Sequence, residues 1–190
     1  MGTLFKIFSI FLLFGFLFYL LLPTPSFPIP PTDSVQSLEN ADVETPLRRS
    51  YFTNFSRAEV LEYYQQQFTK SPFLGIRLPT YRLNYPPEDA QQLIRDQTRS
   101  VFLEEIVHPF RESVFVNGFQ PRVAKDDIWY RGVHYGTKIT IRYIPSSPII
   151  GVPVLLLAIG ALLFSVRELA SCLKVFFIEW FGSTHSQQNV

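Results

Sequence analysis

Tyr135-Gly136-Thr137-Lys138-Ile139-Thr140-Ile141-Arg142-Tyr143-Ile144 decides the fold, and it runs through Pro145-Ser146-Ser147-Pro148 straight into residues 149–166, eighteen uncharged positions. Ile139, Ile141 and Tyr143 alternate with Lys138, Thr140 and Arg142. This period of two belongs to a strand with one face buried and one wet. The abrupt change to an unbroken apolar run predicts a membrane-spanning helix over 148–166, with Pro148 and Pro153 in its first turns, where missing N–H groups cost least. A core helix that is apolar all round needs a larger protein around it than this chain supplies.

Working back from the strand, residues 127–131, 113–119 and 101–107 also read as strands. They are broken by Gly132, by Gln120-Pro121 and by His108-Pro109. Gly132 predicts a hairpin joining the last strand to 127–131, and Asn117-Gly118 offers a further turn. Residues 77–85 read as extended but interrupted by Pro79, and residues 50–54 as a short first strand. Between these two, Ser56-Arg57-Ala58-Glu59 has the form of a capping box, in which the Ser56 hydroxyl and the Glu59 carboxylate each satisfy a free N–H at a helix start. Val60, Leu61, Tyr64 and Phe68 then form a buried stripe, and Ser71-Pro72 ends the helix. Pro86-Pro87-Glu88-Asp89 opens a second helix with Ala90, Leu93, Ile94 and Gln97 facing inward. The sum is an α+β domain over 48–147, a mainly antiparallel sheet with two helices on one face.

Outward from the domain, residues 4–22 are apolar apart from Lys6, about 28 Å of helix at 1.5 Å per residue. The expectation is an N-terminal transmembrane helix over 1–22. A cleaved signal peptide is the rival reading, and the run of leucines leading into Pro23-Thr24-Pro25, without a small-residue cleavage site, argues against it. Residues 23–47 hold six prolines, four acids and no Lys or Arg, and predict an extended acidic spacer with too little apolar content to fold. Beyond the second span, Leu169, Leu173, Phe176, Phe177 and Trp180 share one helical face opposite Arg167, Ser171 and Lys174. This pattern predicts an amphipathic juxtamembrane helix over 167–182 ending at Gly182, then a disordered polar tail over 183–190. The bland alternative is a single helix continuing past the bilayer. Lys6 before the first span and the basic-free stretch after it place both termini in the cytoplasm and the domain outside a plasma membrane crossed twice.

Composition narrows the function classes. The chain has 190 residues, 47% hydrophobic and only 17% charged, with a net charge of +1 and no Lys/Arg run, which speaks against nucleic acid. Cys172 is the only cysteine and lies outside the domain, so multi-cysteine metal motifs are excluded. Glu104 and His108 are four apart on a predicted strand, a spacing that brings ligands together on a helix; both read as strand-end, solvated residues, and no metal or cofactor is expected. No Gly-x-Ser-x-Gly occurs, and the domain's glycines are isolated, so neither an activated serine nor a phosphate loop is expected. Asn54-Phe55-Ser56 matches a glycosylation triplet, but Ser56 is better used as a helix cap.

The domain carries 14 Lys/Arg against 10 Asp/Glu, a difference of +4. Arg77, Arg82, Arg95, Arg99, Arg131 and Arg142 are the candidates for contact with an anionic surface, set against an ordinary solvated face. The leading expectation is a non-enzymatic binding or accessory module at the outer face of the bilayer, acting through another membrane or envelope protein. The alternative is a sensor input domain or a subunit of a homo-oligomeric two-span assembly, for which Ala158, Gly160, Ala161 and Ser165 supply small residues in the second span.

Overall fold

In the computed structural model of the chain, residues 3–43, 45–86, 88–90 and 101–186 are described. They form two compact units, residues 1–147 and 148–190. In chain order the first unit holds α1 (Thr3–Leu21), β1 (Val35–Gln36), β2 (Arg48–Thr53), α2 (Arg57–Phe68), β3 (Tyr81–Tyr85), β4 (Phe102–Val107), β5 (Ser113–Phe119), β6 (Ile128–Tyr130), β7 (Val133–Tyr135) and β8 (Thr137–Ile144). The second unit holds α3 (Pro148–Ser186).

The domain is α+β with an antiparallel sheet. Its six strands run in the order β1-β2-β8-β5-β4-β3, every neighbouring pair antiparallel. β8 lies at the centre, between β2 and β5, which explains its clean alternation: Ile139, Ile141 and Tyr143 face α2, and Lys138 and Arg142 face away. α2 starts at the Ser56 capping box, where Ser56 N–H donates to the Glu59 carboxylate at 2.8 Å and Glu59 N–H donates to the Ser56 hydroxyl. Its buried stripe is Val60, Leu61, Tyr64 and Phe68, the residues whose spacing predicted it, packed on Tyr51, Phe102, Ile106, Val114, Val116, Ile139, Ile141 and Tyr143. Each such aliphatic or aromatic side chain removed from water contributes about 1.5–3 kcal/mol. Ala90 is buried. The rest of the second predicted helix, including Leu93, Ile94 and Gln97, lies outside the described residues.

The structure corrects several expectations in the domain. Asn117-Gly118 is not a turn: both lie inside β5, with Gly118 directly opposite Phe102. A side chain at Gly118 would overlap the Phe102 ring, so this glycine serves close approach between strands. The Gly132 hairpin is real but short. Arg131 and Gly132 both take positive φ, 53° and 80°, as a two-residue turn requires, and join β6 to β7 as a separate two-stranded sheet. The chain leaves that ribbon at Gly136 and enters the main sheet as β8. Phe52, Ile128 and Tyr135 pack the ribbon onto the sheet face opposite α2, with Phe52 and Tyr130 stacked at 4.4 Å. β3 begins only at Tyr81, after Pro79, because proline cannot donate to the ladder.

Residues 23–47 are not a free spacer. The Phe27 ring packs at the core edge under the Arg49 guanidinium, Tyr63 donates its hydroxyl to Pro30 O, and Ile29 exchanges hydrogen bonds with the Gln67 amide on α2. Asp33 accepts from the Thr53 hydroxyl and from Asn54 N–H, and β1 adds an edge strand to β2. Asp42 is buried, accepts from Ser50 at 2.8 Å and pairs with Lys138 at 2.8 Å. Polar contacts therefore do what the missing apolar side chains cannot, and the prolines lower the entropy lost on ordering.

α3 is one helix of 39 residues. The boundary expected at Arg167 is absent, Gly182 lies inside the helix rather than ending it, and residues 183–186, expected to be disordered, are helical. Residues 187–190 lie outside the described ones. Among the described residues one helix, Pro148–Lys174, is long and apolar enough to cross a membrane; the described part of the first apolar helix, Ile7–Leu21, is shorter.

Burial alone would raise the pKa of Asp42, but hydrogen bonds from Lys138, Ser37 and Ser50 outweigh it and hold the carboxyl below its ordinary range. A folded-state pKa below the unfolded value of about 3.9 contributes stability that is complete above that value and lost as pH falls through the folded one. Thermal unfolding in detergent is therefore expected to weaken for the wild type as pH falls from about 5 to about 3. Asp42→Asn is expected to start from a lower midpoint at neutral pH and to fall less over the same interval.

Candidate functional site

The five residues His108-Pro109-Phe110-Arg111-Glu112 join β4 to β5 and hold the most concentrated buried chemistry among the described residues. Pro109 pre-sets one φ of the turn, Phe110 takes φ of 60°, and the loop closes with His108 N–H donating to Glu112 O at 3.0 Å and Arg111 N–H to His108 O at 2.9 Å. The closure turns three side chains inward. His108 and Glu112 are fully buried, and the Arg111 side chain is 1% exposed.

Their partners form a chain. The His108 ring stacks on Phe68 of α2 at 4.0 Å and meets Glu112 Oε1 through Nδ1 at 2.8 Å. The other Glu112 oxygen accepts from Arg111 Nε at 3.1 Å. The far end of the guanidinium donates to three backbone carbonyls at the exit of α1: Nη1 to Tyr19 O at 3.1 Å, and Nη2 to Leu22 O at 2.9 Å and Pro23 O at 3.1 Å. Tyr19 returns the contact, donating its hydroxyl to Pro109 O at 3.0 Å. Burial, with the negative Glu112 adding to it, pushes the Tyr143 phenol up to about 12.

The last carbonyls of a helix lack intrahelical partners and carry partial negative charge, so a cation there stabilises them. α1 has no basic residue in its own last turn, and Arg111 supplies one from 88 or more residues away. Arginine suits the position because its planar fork reaches several acceptors at once, whereas lysine offers a point charge. Glu112 keeps the buried guanidinium neutralised, and His108 holds Glu112 in place. Chemically this is an anchor: Arg111, Glu112 and His108 Nδ1 are each committed to a partner within the fold, and the buried His108 Nε2 is left without a hydrogen bond among the described residues.

A second buried carboxylate, Glu104, lies on the α2-facing side of β4 and is 1% exposed. It is hydrogen-bonded by Arg57 from the first turn of α2, and Arg82 of β3 lies at 3.6 Å. Glu104 and His108 are thus both interior residues, not solvated strand ends; each is stabilised by a specific opposite charge or hydrogen-bond partner. Outside these clusters, His134 of β7 lies 3.7 Å from Asp127 and edge-on to Trp129, all three accessible. Among the described residues no group of three or more His, Cys, Asp or Glu is arranged to hold a metal ion.

The arginines proposed for anionic contact are distributed over several surfaces. Arg77 is exposed and its backbone bridges to Lys70, Arg82 turns toward Glu104, Arg131 occupies the β6–β7 turn over the Tyr130 ring, and Arg142 lies on the sheet face opposite α2. Arg95 and Arg99 lie outside the described residues. Arg111 was not singled out from the sequence. The available signal was an apolar helix without its own basic or glycine cap, together with an Arg-Glu pair confined to a short turn between two buried strands. The chain was compared with protein-family models, with curated proteins and with solved structures, and no match was found in any of the three.

Removing one partner of a buried ion pair costs about 3–5 kcal/mol because the other charge is left uncompensated. Arg111→Ala is therefore expected to lower the unfolding midpoint sharply. It is also expected to raise hydrogen exchange selectively over residues 19–24, with Arg111→Lys intermediate; exchange there equal to wild type would show that the guanidinium does not hold the α1 exit.

Proposed function

We propose that this chain is a membrane-anchored, extracytoplasmic binding or accessory module that performs no catalysis itself and acts through another membrane or envelope protein. The observation that carries the reading is the Arg111 anchor. A guanidinium that grips the last carbonyls of an apolar helix from inside the domain fixes the domain to that helix, as a module stationed at a bilayer requires. Supporting it are the length and apolar character of Pro148–Lys174 and the commitment of His108, Glu112, Glu104 and Asp42 to internal partners. Lys6 and the basic-free residues 23–47 favour a cytoplasmic N-terminus, and two spans return the C-terminus to the same side.

A homo-oligomeric assembly is the second reading, favoured by Ala158, Gly160 and Ala161, which allow close helix approach in α3. Ser165 contributes less to it, because its hydroxyl already donates to Ala161 O.

Topology is tested by impermeant maleimide labelling in a Cys172→Ser background. Lys125→Cys, exposed in the domain, is expected to react in intact cells and Ser186→Cys only after permeabilisation; the opposite pattern would put the domain in the cytoplasm. The partner is tested by photocrosslinking in native membranes from the accessible positions Trp129 and Tyr81. A discrete adduct with a second membrane protein is expected. Adducts of twice the chain mass alone would favour the oligomer.

A further inference from the structure

Phe110 stands at the tip of the β4–β5 turn, 78% exposed, with φ of 60°. Positive φ is strained for a bulky side chain, and exposure of the ring to water offers nothing in return. The ring makes one aromatic contact, edge-on to Phe16 of α1 with centroids 5.6 Å apart. Phe16 is five residues before the end of α1 at Leu21, so the tip overhangs the helix by about 7–8 Å along its axis at 1.5 Å per residue. On the face of α1 that carries Phe16, Leu12 one turn earlier is exposed too, so the Phe110 ring adjoins an apolar helix surface. Behind it, Arg111 donates to backbone carbonyls at the helix exit and the Tyr19 hydroxyl to Pro109 O of the turn, the arrangement expected of a headgroup boundary.

We infer that the β4–β5 turn is a membrane-inserting tip, with the Phe110 ring seated in the acyl-chain region beside α1 and Arg111 at the level of the headgroups. The inference deepens the proposed function and rests on its reading of α1 as a membrane helix. The occupant of the exposed aromatic surface is lipid. α1 is about 28 Å long at 1.5 Å per residue and apolar from Ile7 to Leu21, so a bilayer that covers this stretch covers its last turn and a half as well, where the Phe110 ring lies.

The test uses the full chain in lipid vesicles, with Trp129→Phe and Trp180→Phe removing the native indoles. Phe110→Trp then reports the tip, Phe11→Trp the interior of α1, and Lys125→Trp a water-exposed position. Acyl chains brominated near the headgroup are expected to quench the Phe110→Trp indole more than chains brominated near the methyl end, with emission shifted to the blue of Lys125→Trp. Quenching of Phe11→Trp with a Phe110→Trp signal like that of Lys125→Trp would overturn the inference and leave the anchor reading standing. If neither is quenched, both fall. Because an indole at position 110 could disturb the turn, Phe110→Cys in a Cys172→Ser chain, carrying a nitroxide, gives a second measurement. Greater accessibility to oxygen than to a water-soluble nickel complex supports insertion, and the reverse order overturns it.

Discussion

The Arg111 guanidinium is the interaction on which the attachment of α1 depends, because it links three parts of the first unit that are far apart in the chain. One end satisfies carbonyls of Tyr19, Leu22 and Pro23, and the other is neutralised by Glu112, which His108 holds while stacked on Phe68 of α2. A helix end, a strand turn and the core helix are therefore coupled through a single cation. In a low-dielectric interior such an arrangement is stable only as a complete set, since each group left alone would be a buried charge or an unpaired donor. The coupling is correspondingly all-or-none.

The same logic governs the N-terminal segment. Residues 23–47 carry few apolar side chains, yet the chain follows a defined path because Pro30 O, Ile29, Asp33 and Asp42 each meet a specific partner on α2, β2 or β8. Folding here relies on hydrogen bonds whose net contribution is about 1 kcal/mol each, made worthwhile by prolines that leave little conformational entropy to lose. A segment of this kind couples α1 to the domain at several points, from Pro23 to Leu47. Movement of the domain against α1 has to break the Arg111 contacts first.

How much was legible in the sequence followed from the range of the interactions concerned. The alternation of β8, the α2 stripe and the Ser56–Glu59 capping box are local patterns, and each formed as its spacing dictated. Gly118 was misread because its reason lies across the ladder, in the Phe102 ring of the opposite strand. Glu104 and His108 were read as solvated because strand-end position is local, whereas Arg57 and Phe68, the residues that accommodate them, lie 47 and 40 positions away. The capping role of Arg111 spans still more of the chain. A periodicity argument sees which face a residue occupies; it does not see which distant cation will meet it there.

The two chain ends join the domain by different physical means. At the second end only Pro145, Ser146 and Ser147 separate β8 from α3, a connection short by covalent length. At the first end 25 residues separate Leu22 from Arg48, and loop closure over that length costs entropy that has to be recovered by contacts. The contacts are there, from Pro23 O on Arg111 to Leu47 O on Tyr143 N–H. The long connection is thereby defined, but conditionally so. It depends on the charge state of Asp42 and on the integrity of the Arg111–Glu112 pair, whereas the short link depends on nothing but the chain. If the domain changes its attachment to α1, the N-terminal connection is the one that physical chemistry allows to switch.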